Sequence, residues 1–256
     1  MNFFDLSAAR QPLLLGNVWD AASAQLAQKL GYRAIGTSSA AMAASLGYED
    51  GEGMSFDELL FLVKRIRASS SLPLTVDIEA GYGNSPAEIA NNIVQLLELG
   101  VSGINIEDSR VMAGERQLLS AAQFAAGLSA LCTALGDHRK SLFINVRTDT
   151  YLLQCKDAKT DTLSRAALYQ SAGADGLFVP CLTEPADISA IVAGTVLPLN
   201  LMCMPELPDF ARLAQLGVKR ISMGNAAYQY QQQTLGDVLA GVKAQDSFAA
   251  LYSRPG

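Results

Sequence analysis

The sequence predicts a (β/α)8 barrel in a single domain, and three observations carry that prediction. Eight short apolar runs, rich in Ile, Leu and Val and bounded by glycine or proline, recur along the 256 residues. Segments with helical periodicity separate them. The phrases "LELGV", "QSAGA" and "AQLGV" precede the fourth, sixth and eighth runs, so helix ends and strand starts recur in register. A doubly wound open sheet would call for a G-x-G-x-x-G turn after the first run, and there is none. No linker or low-complexity tract divides the chain, and its length suits one barrel spanning 1–256.

The elements follow in order. The first strand is "LLLGN" (13–17), and "DAASAQLAQKLG" after it opens on an acid and stops at Gly31. The second strand is "AIGTSS" (34–39) and the third "LTVDIE" (74–79). "SPAEIANNIVQLLELG" then offers Ser85 as N-cap, Pro86 at the first helical position, Glu88 three residues after the cap and Gly100 as the stop. "GINIED" (103–108) and "LFINVR" (142–147) are the fourth and fifth strands. "TLSRAALYQSAGAD" leads into "GLFVPC" (176–181), "EPADISAIVAG" into "PLNLMC" (198–203), and "MPELPDFARLAQLG" into "RISMGN" (220–225). Runs of this composition read as strands buried on both faces. The closing segment has apolar residues at helical spacing and, on its own, reads as a core-facing helical extension over about 226–252.

Net charge is −6, with no basic run anywhere. Nucleic acids and anionic membranes are recognised by positive faces, so neither is an expected partner. "MNFFDLSAARQ" has no basic start and carries Asp5, and "PLLLGNVW" is too short to export or span a bilayer. A cytoplasmic location is therefore expected. Cys132, Cys155, Cys181 and Cys203 form no C-x-x-C pair, which points to reduced thiols rather than a disulfide framework or a zinc site.

A barrel keeps its chemistry where the strands end. There the second strand carries Thr37, Ser38 and Ser39, the third Asp77 and Glu79, and the fourth Asn105, Glu107 and Asp108. The fifth ends in Asn145 and Arg147, followed by Asp149; the seventh carries Asn200, and the eighth Ser222 and Asn225. Side chains alternate across a strand, so Asp77 and Glu79 are expected to face one way, as are Asn105 and Glu107. Any one of these acids alone reads as an ordinary strand-end group, solvated or paired with Arg110 or Arg147. Together they do not, because burying several like charges is costly without a cation to offset them. An all-oxygen set without Cys or His suits Mg²⁺, or Mn²⁺, over zinc. Arg147 has the two-pronged donor geometry that grips a carboxylate or a phosphonate.

With these residues assembled, the chain resembles the isocitrate lyase/phosphoenolpyruvate mutase superfamily along nearly its whole length. The resemblance rests on "GTSSAAMAASLGYED", "VDIEAGYG", "GINIED" and "NVRTDTY", in order and at barrel spacing. It implies Asp77 as a direct Mg²⁺ ligand, with Glu79 and Glu107 holding the metal through water. Backbone amides around Ser38, Ser39 and Ala40 would cradle a carboxylate. Asp50 would sit on a loop over the substrate, with Trp19 and Asp20 lining the floor and Asn200 in the substrate-binding set. Arg147, Asp50 and Glu107 are the implied catalytic groups, Arg147 binding the substrate carboxylate or helping to stabilise an enolate. The implied assembly is a homo-oligomer, dimer or tetramer, with the C-terminal helices exchanged between subunits.

One segment departs from the family. After the "ED" of the fourth strand the lyases carry a loop with Lys and Cys-Gly-His, and the mutases and phosphonopyruvate hydrolases one with Lys and Asn. Here "SRVMAGERQLLSAAQF" (109–124) holds none of these, and its ionisable groups are Arg110, Glu115 and Arg116. That weighs against cysteine-dependent cleavage and against phosphoryl transfer. Cys181 reads as a packed small residue, and His138 lies on the face opposite the strand ends. The expected activity is Mg²⁺-dependent C–C cleavage or decarboxylation of a small 2-oxo (di)carboxylate through an enolate. Phosphonopyruvate-type P–C chemistry and a non-catalytic metal and 2-oxo acid binder are the alternatives.

Overall fold

The computed structural model describes residues 3–7, 9 and 11–252. A short helix, α1 (Phe3–Ser7), precedes two strand pieces, β1 (Leu13–Leu14) and β2 (Gly16–Val18). Then come α2 (Ala21–Lys29), β3 (Ile35–Thr37), α3 (Ser39–Leu46), α4 (Phe56–Ser69), β4 (Leu74–Asp77), α5 (Pro86–Glu98) and β5 (Gly103–Glu107). A hairpin of β6 (Ser109–Met112) and β7 (Glu115–Leu118) precedes α6 (Ala121–Leu135) and β8 (Phe143–Arg147). The chain closes with α7 (Ala158–Ala172), β9 (Gly176–Phe178), α8 (Pro185–Gly194), β10 (Leu199–Met202), α9 (Phe210–Gln215), β11 (Arg220–Ser222), α10 (Ala226–Gln245) and α11 (Ala249–Tyr252).

The predicted barrel is present, and its first stave explains how it closes. β1 pairs with β11 and β2 with β3, both in parallel, so one bent stave joins the two ends of the sheet. Around the ring β3, β4, β5, β8, β9, β10 and β11 pair in that order, all parallel. Outward-facing residues such as Ile35, Val76, Ile104, Val146, Leu177 and Leu201 are buried against the helices and form the main core. A second cluster of Phe3, Leu6, Leu13, Leu15, Ala34 and Phe143 closes the barrel base beneath α1. Between that base and the mouth the interior is polar. Asn145 Nδ2 donates to Asn105 Oδ1 at 2.9 Å and to Asn200 Oδ1 at 3.2 Å, while Asn200 Nδ2 reaches Ser222 Oγ at 3.2 Å.

Helix starts follow the local chemistry. Asp20 caps α2 in a capping box with Ser23. Ser85 caps α5 with Pro86 at its first turn, yet the Glu88 carboxylate closes on the Asn84 amide (2.7 Å), one residue before the expected Ser85. Three expectations need correcting. The second strand stops at Thr37, because Ser38 turns there to cap α3. Residues 109–118 fold as a hairpin whose two-residue turn, Ala113 and Gly114, takes positive φ at both positions, the geometry that matches strand twist. The segment read as core-facing, α10, buries none of its residues within the chain. Among the described residues no helix is long and apolar enough to cross a membrane.

Candidate functional site

The strand ends open into a cavity of about 310 Å³, large enough for a small organic acid. Its ionisable lining consists of Asp50, Asp77, Arg116 and Arg147; Asn17, Ser38, Ser39, Asn105 and Ser222 supply neutral polar groups, and Leu15, Leu152, Phe178 and Met202 the apolar wall.

Asp77 ends β4 and is held from three sides. Its amide donates to Thr37 Oγ1 (2.8 Å), and its carboxylate accepts from Ser39 Oγ (3.1 Å) and from the Glu79 amide (3.2 Å). Burial raises its pKa, against the pull of Arg147. Ser39 and Ala40 form the first turn of α3, whose leading amides have no partner within the helix, and Ser38 Oγ is committed to the Ala41 amide (3.3 Å). The turn therefore points free N–H groups toward the cavity that Ser38, Ser39 and Ala40 line, a natural seat for a carboxylate.

Glu79 does not stand beside Asp77 as strand alternation suggested. The strand has ended, Glu79 takes a φ of 49°, and its side chain leaves the cavity. One carboxylate oxygen accepts from Tyr82 Oη (2.9 Å) and the other from the Glu52 amide (2.5 Å), while Glu52 Oε1 takes the Tyr82 amide at 2.7 Å. Gly81 permits this turn with a φ of 114°, and a side chain there would strike Ile89. Burial first, then Asp50 and Asp77, push the Glu79 carboxyl up to about 8.

Glu107 ends β5 and is almost wholly buried. Arg147 Nη1 lies 3.1 Å from it, and Arg116, from the hairpin, contacts the other oxygen. Burial still raises its pKa, to about 7, with Arg147 opposing. Arg147 also grips Asp149 through Nε (2.6 Å) and Nη2 (3.1 Å) and stays charged: desolvation acts downward, and Glu107 and Asp149 reverse it. Asp108 points away from the cavity. It accepts from Tyr169 Oη (2.6 Å), Thr148 Oγ1 (2.7 Å) and Arg165 Nη1 (3.0 Å), tying β5 to α7.

Of the expected site residues, Asp50, Asp77, Arg147, Ser38, Ser39 and Ala40 meet at one cavity. Asn200 lies in the polar layer of the barrel interior and does not line the cavity. Trp19 packs edge-on against Tyr228 with ring centroids 5.3 Å apart and does not line it either. Cys181 is likewise outside the lining, and exposed His138 lies in a 3-10 turn that leads into the start of β8, at the opposite end from the site. Two residues went unassigned in the sequence. Asp149 braces Arg147, and Arg116 projects from β7 to contact Asp50 Oδ2 (3.2 Å), Glu107 and Ser109 Oγ (3.0 Å). The usable signal was the polar alternation of "ERQL", which sends Arg116 and Leu118 to one face.

Among the described residues no three His, Cys, Asp or Glu side chains converge on a point where a metal could be enclosed. Asp77 is the one member of the trio Asp77, Glu79 and Glu107 that lines the cavity; the other two are set back and hydrogen-bonded. The donor chemistry nevertheless fits a divalent cation. Asp50, Asp77, Glu79, Glu107 and Asp149 crowd around two guanidiniums, Arg116 and Arg147, with Arg220 beneath. Burial foremost, and the neighbouring acids after it, raise the pKa values of Asp77, Glu79 and Glu107, and a hard cation on oxygen ligands would relieve the crowding.

A family profile described as phosphoenolpyruvate phosphomutase matches residues 3–243. An uncharacterized protein of Mycobacterium tuberculosis (strain CDC 1551 / Oshkosh) is 35% identical over 89% of this chain and 83% of its own length. An oxaloacetate decarboxylase of Bradyrhizobium sp. (strain ORS 278) is 31% identical over 89% of this chain and 79% of its own. A crystal structure of a candidate phosphonomutase from Burkholderia cenocepacia J2315 superimposes with a TM-score of 0.87 at 40% identity, covering 93% of this chain and 97% of the other. The motifs at the strand ends, the barrel and these likenesses agree: the chain belongs to the phosphoenolpyruvate phosphomutase family, within the isocitrate lyase/phosphoenolpyruvate mutase superfamily.

Proposed function

We propose that this enzyme is a Mg²⁺-dependent lyase acting on a small 2-oxo dicarboxylate, and that decarboxylation, with oxaloacetate as the leading substrate, is the reaction its site supports best. The observation that carries this reading is the ionisable lining: two acids and two arginines, with no Cys, Lys or His to protonate a second carbon fragment. Loss of CO₂ needs no such donor. The C3–C4 bonding electrons stay on C3 as the enolate of pyruvate, the carboxylate departs as CO₂, and solvent protonates the carbon. The likeness to an oxaloacetate decarboxylase supports the same choice.

Asp77 would hold the metal directly, with Glu79 and Glu107 reaching it through water; a divalent cation held there would supply Lewis-acid polarisation of the 2-oxo carbonyl. The amides of Ser39 and Ala40 seat the C1 carboxylate. Arg147, fixed by Glu107 and Asp149, presents a permanent positive charge toward the oxygen on which the enolate develops. Asp50 covers the cavity from the loop that follows α3. Glu107 orients both guanidiniums at once. The same reading places the enzyme in the cytoplasm as a homodimer or homotetramer, with its C-terminal helices exchanged between subunits.

The test is a panel of 2-oxo acids, headed by oxaloacetate, incubated with purified protein in Mg²⁺ or in chelator while CO₂ and pyruvate are followed. Mg²⁺-dependent release above the Mg²⁺-only blank is expected. Turnover of none of them would end the proposal, and phosphate release from phosphonopyruvate would redirect it to P–C chemistry.

A further inference from the structure

We infer that Arg116 is the residue that selects dicarboxylates, by binding the carboxylate of the substrate distal to the 2-oxo group. The inference rests on the 2-oxo acid reading above and goes one step further, to the substrate's other end.

The cavity has two anion-binding poles of different origin. One is the first turn of α3 beside Asp77, on the barrel rim. The other is Arg116, which no barrel stave supplies; it reaches in from β7 of the hairpin. Its two terminal nitrogens are used differently. Nη1 is committed to buried partners, Glu107 and Ser109 Oγ, with Asp149 Oδ2 at 3.5 Å. Among the described residues Nη2 contacts only Asp50 Oδ2, at 3.2 Å, and the Asp50 side chain is 41% exposed. One edge of the guanidinium is therefore anchored, and the other is held by a single solvent-accessible carboxylate on the cavity wall.

That arrangement favours exchange. A substrate carboxylate arriving beside an already acidic site would be repelled if it simply added to Asp50. If it replaces Asp50 on Nη2, the charge around Arg116 is unchanged and one charge-assisted hydrogen bond is exchanged for another. Glu107 holds the guanidinium in place while the partner changes, so little side-chain freedom is lost. The hairpin also packs on the loop that carries Asp50. A side chain at Gly51 would strike Val111 of β6 at 2.4 Å, so the two segments close on the site together. Arg147 cannot serve as this second pole, because Glu107 and Asp149 occupy its Nη1, Nε and Nη2.

The experiment is calorimetric titration, in Mg²⁺, of wild type, Arg116→Gln and Asp50→Asn with oxalate and with 3,3-difluorooxaloacetate. Oxalate offers only the 2-oxo acid end; the second ligand adds the distal carboxylate. Arg116→Gln is expected to weaken the difluoro ligand roughly 10- to 100-fold, the usual worth of a charged hydrogen bond, and to leave oxalate within about 2-fold. Asp50→Asn removes the competitor and is expected to raise the affinity for the difluoro ligand relative to that for oxalate, a change of ratio that a merely structural Arg116 would not give. Equal losses for both ligands in Arg116→Gln, or no loss for either, would overturn the assignment while leaving the 2-oxo acid reading standing. Failure of the wild type to bind oxalate would overturn that reading and this inference with it.

Discussion

Glu79 keeps its proton to about pH 8 because burial, Asp50 and Asp77 all oppose its charge, and Glu107 is raised to about 7 for the same leading reason. The sign of the consequence follows from linkage. An acid with a folded pKa above its unfolded value binds more protons folded than unfolded, so its stabilisation is complete below the unfolded pKa and is lost as pH rises to the folded one. Metal-free protein is therefore expected to lose thermal stability from about pH 4.5 to about pH 8, the span between the ordinary and the raised carboxyl values. Because a cation competes with these protons, the rise in Tm on adding Mg²⁺ should grow over the same range. Thermal melts in chelator and in Mg²⁺ across that range check both; a Mg²⁺ shift that shrinks with pH would contradict the placement of the acids. How much of the site could be read at this scale depended on whether a residue sits on a strand end or in the loop beyond it. Asp77 and Arg147 were legible as rim residues because strand ends in a barrel converge, whereas the Ser38–Ala40 seat followed only from the family resemblance, since the pattern there reads as strand. The turn of Glu79 was not legible, because it depends on a positive φ, on Tyr82 folding back within the same loop and on Glu52 arriving from another. Arg116 was not, because its partners Asp50 and Glu107 lie on separate elements.

The hairpin of β6 and β7 is the element that sequence periodicity does not foretell. Strands and helices elsewhere follow periodicity and caps strong enough to read from the sequence, as at Ser85–Pro86 and Gly31. The hairpin defeats that reading because its strands are short, half-polar and paired only with each other, so no buried face imposes a pattern. Its turn places Ala113 at a φ of 53°, a conformation that costs a residue with a Cβ but suits Asn or Gly. Ala113→Asn is expected to stabilise the hairpin by about 0.5–1 kcal/mol, seen as slower amide exchange across residues 109–118. Unchanged exchange would mean the turn is not what limits hairpin opening. The C-terminal helix shows the opposite failure of sequence reading: its apolar spacing was real, but spacing alone does not say which surface it meets.

On the scale of the whole molecule, a closed barrel gathers distant residues onto one rim, and the chain then runs on past it. Although α10 is a long helix, none of its residues is fully buried within the chain, and Leu235, Leu239, Phe248 and Leu251 stand exposed on it and just after it. Apolar faces of this kind are usually covered by a partner. Light scattering should find a multiple of the 27.1 kDa chain mass, and Leu239→Lys should lower it; a monomeric wild type would contradict subunit exchange. The central claim is that the rim is a working metal site for 2-oxo acids, with Asp77 at its centre. Its most direct test is the rate of CO₂ release from oxaloacetate in Mg²⁺, above the Mg²⁺-only blank, for wild type and Asp77→Ala side by side. The expected result is clear turnover by the wild type and a loss of at least about 100-fold in the variant. Equal rates in the two proteins, or no turnover by the wild type, would contradict it.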